Sequence, residues 1–76
     1  MKIKLASDIY TTNAIVDMAG QFSSYLHVAI SSRDDIEIEL TVVADGKVDQ
    51  AEVINTFMNN ILELSILERL NHEHQV

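Results

Sequence analysis

Five Lys or Arg residues against twelve Asp or Glu give this 76-residue chain a formal net charge of −7, and it contains no cysteine and no proline. So acidic a chain is repelled by nucleic acid, and Lys2, Lys4, Arg33, Lys47 and Arg69 are scattered where counterion release needs clustered cations. With no disulfide, no thiolate metal cage and no apolar run near the roughly 18 residues of a membrane span, one small domain must hold itself by regular local structure or by burial against a partner.

In MKIKLASDIY, Ile3 and Leu5 alternate with Lys2 and Lys4, the period of a half-buried strand. The alternation does not lead into the roughly 7 to 15 apolar residues of a signal peptide, which predicts a cytoplasmic protein. In TTNAIVDMAGQFSS, Ile15, Met18, Ala19 and Phe22 take the i, i+3, i+4, i+7 positions of one helix face, with Thr11 or Thr12 placed to cap it. Gly20 inside that helix costs about 1 kcal/mol relative to Ala, which predicts a neighbour packed against its bare backbone.

Leu26, Val28 and Ile30 then alternate with His27, Ala29 and Ser31, and beyond SRDD the residues Ile36, Ile38, Leu40 and Val42 alternate with Glu37, Glu39, Thr41 and Val43. Two such runs around a polar break predict a hairpin turning near Ser32 to Asp35. ADGKVD reads as an Asp-Gly turn that feeds a helix start. Asp49 and Glu52 fill the two positions of a capping box, and Val48 and Val53 those of a hydrophobic staple. The helix is predicted from about 50 to about 70, before a polar tail over 71–76.

Strand, helix, strand, strand, helix predicts an α+β fold: a two-layer sandwich whose three-stranded sheet carries both helices on one face, forming a single domain over 1–70. A right-handed crossover out of the first strand places it beside the third, with Lys2 and Lys4 near Glu37 and Glu39 on the open face.

Chemistry finds few footholds. Gly20 and Gly46 are the only glycines, too few for a phosphate-cradling loop, and DGKVD lacks the upstream carboxylates of a calcium loop. His72 and His74 form an H-x-H, but a zinc site takes three or four ligands on ordered elements, so the pair reads as a solvated tail. His27, Glu37 and Glu39 share the open face and define the alternative function, a small enzyme or metal-binding protein. Glu37 and Glu39 stand about 7 Å apart on one strand, with nothing enclosing them to raise one pKa. The sequence therefore predicts no catalytic residue, no metal ligand and no cofactor.

The last helix raises a different matter. Val53, Phe57, Ile61, Leu64 and Leu67 span about 120° of its wheel, the arc a helix turns toward its own sheet. Met58, Leu62 and Ile66 form a second ridge roughly 100° further round, with Ile54 between the two sets. In one reading the first helix covers this surplus. In the other, Ile54, Met58, Leu62 and Ile66 are an interface for a second copy, giving a homodimer, or for a different protein partner. An unpaired first strand offers a second joint through sheet extension.

YTTNAI over Tyr10–Ile15, the later Phe22, and FMNNILELSILERL over Phe57–Leu70 resemble the HxsD family of the His-Xaa-Ser system. That family has a Tyr and a hydroxyl cap before its first helix, a Phe near its end, and a final helix closing in L-L-N-D-Y-x-L-R-E. Here the corresponding run is Ile61-Leu62-Glu63-Leu64-Ser65-Ile66-Leu67-Glu68-Arg69. Its apolar positions at Ile61, Leu62 and Leu67 agree, the Asn, Asp and Tyr do not, and Arg and Glu are exchanged. The resemblance implies an accessory subunit that assists radical SAM peptide maturation and has no catalytic residues of its own. The order of elements is also similar to that of Pcc1-type small dimerisation subunits. It is similar again to a truncated HPr phosphocarrier, whose phosphotransfer needs a His where Thr11 to Asn13 stand.

Overall fold

Alternation of Ile, Leu and Val with polar residues produces three strands, and the 3.6-residue patterns produce two helices, in the predicted order. A computed structural model describes residues 1–43 and 49–73, with side chains described to residue 71. The elements are β1 (Lys2–Leu5), α1 (Thr12–Gln21), β2 (Leu26–Ser32), β3 (Ile36–Val42) and α2 (Gln50–Glu73). The sheet order is β1-β3-β2, and both pairings are antiparallel. Lys2 lies opposite Glu39 and Lys4 opposite Glu37, the neighbours expected from the crossover out of the first strand. Between β2 and β3 the ladder closes at Ser32 and Ile36, so the hairpin turns on Arg33, Asp34 and Asp35.

The inward residues of the strands form the core. Leu5, Leu26, Ile36, Ile38 and Leu40 are buried there with Ala14 and Ile15 of α1 and Phe57 and Ile61 of α2. Each large side chain so buried contributes about 1.5–3 kcal/mol, which is what opposes the chain entropy in a domain this small. Both helices lie on that face of the sheet. Phe22 meets Phe57 edge to face, with ring centroids 5.5 Å apart, a contact worth about 0.5–1.5 kcal/mol beyond its area.

Thr11 is the residue that caps α1: it is extended, and its side chain accepts a hydrogen bond from the Ala14 N–H. The helix closes at Phe22, whose N–H bonds the Met18 carbonyl, and the chain turns into β2 with the Leu26 N–H on the Phe22 carbonyl. Gly20 departs from expectation. Among the described residues a Cβ there would meet nothing within 4 Å, because Gly20 lies in the last turn on the exposed side of the helix.

Asp49 caps α2 as predicted, its Oδ1 accepting from the N–H groups of Ala51 (3.0 Å) and Glu52 (3.3 Å). The Asp-Gly turn, Val48 of the staple and the His72 and His74 side chains lie outside the described residues. The helix runs to Glu73, past its predicted end near 70. At 1.5 Å per residue its 24 residues extend about 36 Å, against about 23 Å for a seven-residue strand, so α2 outruns the sheet. The sheet-facing stripe holds at Val53, Phe57, Ile61 and Leu64, which are buried or half-buried, but fails at Leu67, which is 56% exposed. Beyond Leu64 the helix faces the β1–α1 loop instead of the sheet, and Ser65 takes the buried place there.

Candidate functional site

The distal half of α2 presents two contrasting sides, which follow from the residues along it. Ser65, Glu68 and Arg69 are spaced i, i+3, i+4 and therefore share one side of the helix, close to the arc that carries Phe57 and Ile61. That side meets the loop between β1 and α1. Ser65 is completely buried, and its Oγ accepts the Thr11 N–H at 3.0 Å. The Thr11 hydroxyl donates to Glu68 Oε2 at 2.6 Å while accepting from Ala14, so one side chain links the start of α1 to the end of α2. A carboxylate at that position also faces the positive end of the α1 dipole. Arg69 spreads its guanidinium over loop carbonyls, with Nη2 donating to Ser7 (2.7 Å) and Tyr10 (3.5 Å) and Nε to Ile9 (3.2 Å). Inside the loop, Ile9 and Tyr10 both donate to the Ala6 carbonyl. Thr11 beside Glu68 and Phe22 on Phe57 make the two helices antiparallel. Among the described residues no buried side-chain polar atom lacks a partner.

This clamp was not foreseen from the sequence. Its signal was there, a polar trio at one-face spacing where the core-facing arc of Phe57 and Ile61 would continue, but its meaning depended on which element lay opposite.

The other side carries the apolar ridge, with the exposed Glu63 beside it. Along the ridge, Ile54 and Met58 pack half-buried against the chain's own core, Leu62 is half-buried, and Ile66 is 47% exposed. Leu70, next on the ridge, is 46% exposed, and Leu67 flanks the pair. The gradient is geometric: each four-residue step turns about 400°, so the ridge drifts about 40° per step and winds off the core into solvent. The surplus therefore divides. The core covers Ile54 and Met58, whereas Ile66, Leu67 and Leu70 stand open on a rod that the polar clamp holds in place.

The open sheet face carries Lys2, Lys4, His27, Ala29, Ser31, Glu37, Glu39 and Thr41. The register sets His27 opposite Thr41, Glu39 between Lys2 and Ala29, and Glu37 between Lys4 and Ser31. Each carboxylate thus faces an ammonium instead of a second acid. At the hairpin end, Lys4, Ser31, Arg33, Asp34, Asp35 and Glu37 line an open depression of about 340 Å³ with both signs of charge. Among the described residues, no three His, Asp or Glu side chains converge as a metal site would require, and no helix is long and apolar enough to cross a membrane. No protein-family model, no curated protein and no solved structure matches this chain.

Proposed function

We propose that the protein is a non-enzymatic protein–protein interaction module, an accessory subunit that docks a partner on the distal ridge of α2. The observation that carries this reading is the exposure of Ile66, Leu67 and Leu70 on a helix whose opposite side is fixed by Ser65, Glu68 and Arg69. A contiguous apolar patch on a rigid element is the ordinary mark of a binding surface. Anchors at i, i+4 and i+8, here Leu62, Ile66 and Leu70, suit docking of one helix face into an apolar groove. Covering the exposed halves of three such side chains contributes on the order of 1 kcal/mol each, about half of what complete burial yields. The resemblance to the HxsD family supplies one setting, in which the partner belongs to a radical SAM peptide-maturation system.

The test pairs the chain with the proteins encoded beside its gene, by co-expression and co-purification. A complex that forms with the native chain and is lost with the Ile66→Asp plus Leu70→Asp variant, while circular dichroism shows an unchanged fold, supports the proposal. Equal recovery of the partner by native and variant chains overturns it.

A further inference from the structure

The hydrogen bonds at the ends of the sheet fix which backbone groups face outward. The Val43 N–H bonds the Tyr25 carbonyl at 2.9 Å, so residues 25, 27, 29 and 31 spend their backbone groups on β3. The alternate residues of β2 then point their N–H and C=O away from the sheet, and the Leu26 N–H, bonded to the Phe22 carbonyl, confirms that phase. Val28 and Ile30 therefore present a donor and an acceptor each along the free edge of β2, with no partner among the described residues. Their side chains are half-buried, whereas the facing Leu40 and Ile38 of β3 are fully covered.

Edges of this kind are normally guarded by charge, a proline or a bulge. The other edge strand has such a guard in Lys2 and Lys4, while Leu26–Ser32 carries no acidic residue, no lysine and no arginine in a chain of net charge −7. The strand is also symmetric about its centre. His27-Val28-Ala29-Ile30-Ser31 reads polar, β-branched, alanine, β-branched, polar in either direction.

We infer that β2 is the seat of self-association: two copies join edge to edge, antiparallel about a two-fold axis at Ala29, into one six-stranded sheet. In that register Val28 of each copy exchanges backbone hydrogen bonds with Ile30 of the other. Ala29 meets Ala29 as a close pair, with Cα atoms about 4.5 Å apart, a spacing that small side chains suit. His27 falls opposite Ser31 of the second copy, and the half-buried Val28 and Ile30 cover each other on the inner face. No like charges meet. A second copy therefore fits this edge in both chemistry and register. The contact is independent of the α2 ridge, which stays free in the dimer to take a different protein.

Ala29→Lys tests it. In the protomer the new ammonium stands on the exposed face opposite Glu39, a favourable neighbour, but across the two-fold it meets its own copy. Light scattering is expected to give the native chain twice its 8.5 kDa mass and the Ala29→Lys variant half the native value. Mixing Ala29→Lys with Ala29→Glu restores a dimer of one copy of each, visible by native mass spectrometry. Amide exchange adds a residue-level readout: Val28 and Ile30 are protected in the native dimer and exchange fast in Ala29→Lys, whereas His27 and Ala29 stay protected in both. A monomeric native chain at tens of micromolar, a dimeric Ala29→Lys, or failure of the two variants to pair would each overturn the inference. Ile66→Asp plus Leu70→Asp leaves the dimer mass unchanged if the copies meet at β2 and halves it if they meet at the helices, which also overturns the inference.

Discussion

Replacing Ser65 with Ala removes one oxygen from the interior, and the structure indicates what that oxygen does. Ser65 is 0% exposed, and its Oγ is the acceptor for the Thr11 N–H at 3.0 Å. With a methyl group in its place the N–H keeps its position, because Thr11 is also held by Ala14 and Glu68, and it then faces the methyl of a residue that is itself fully buried. A donor stranded in this way costs about 1–3 kcal/mol, more than the net value of an ordinary hydrogen bond, because the group loses water without gaining a partner. At about 4–8 °C per kcal/mol for a domain of this size, a loss of about 2 kcal/mol lowers Tm by about 8–16 °C. The assay is urea unfolding followed by far-ultraviolet circular dichroism, with the midpoint read at unchanged m. Ser31→Ala, on the open face, serves as the control and stays within about 0.5 kcal/mol of the native chain. If Ser65→Ala is as stable as that control, the clamp contributes nothing and the burial of Ser65 needs another explanation.

Two further outcomes follow from local geometry. Gly20→Ala stabilises the fold by about 0.5–1 kcal/mol, since the site is helical, open and not at positive φ; a rise in the denaturation midpoint checks this, and a fall would mean that a neighbour occupies the space. Aspartate placed along the α2 ridge grades its own cost: Met58→Asp, which puts a charge against the core, destabilises by several kcal/mol, Leu62→Asp by less, and Leu70→Asp by no more than about 0.5 kcal/mol, all read from the same unfolding curves.

Where one residue type could settle a local question, the sequence was readable. Strict alternation set the three strands and their inward faces, Asp49 and the pair Thr11 and Thr12 marked the helix starts, with Thr11 the cap that formed, and the charges of Lys2, Lys4, Glu37 and Glu39 agreed with the β1–β3 pairing. The readings that failed depended on what lies opposite a residue. Gly20 was expected to meet a neighbour, and its place in the last turn leaves it facing outward. Leu67 was assigned to the sheet because a helical wheel assumes one continuous partner along the whole helix, whereas α2 passes the sheet and meets a loop. The open sheet face was legible as a surface, and the register added that Glu37 and Glu39 each stand across from a lysine.

That change of partner along α2 also accounts for the apolar surplus. Loop backbone needs hydrogen bonds and gains nothing from leucine, so the inward arc of the distal helix had to become Ser65, Glu68 and Arg69. A helix built only to serve this clamp would carry polar residues on its outer arc, as solvated helix faces usually do. Ile66, Leu67 and Leu70 stand there beside a single charged residue, Glu63, at positions where the protomer gains little from their being apolar. Their side chains contribute to stability in full only when something covers them, whereas the clamp opposite contributes in the lone chain, holding the rod at a fixed angle to the sheet. Under the proposed function the polar side positions the helix and the apolar side binds, a division of labour that rests on a helix about 13 Å longer than the strands it packs on.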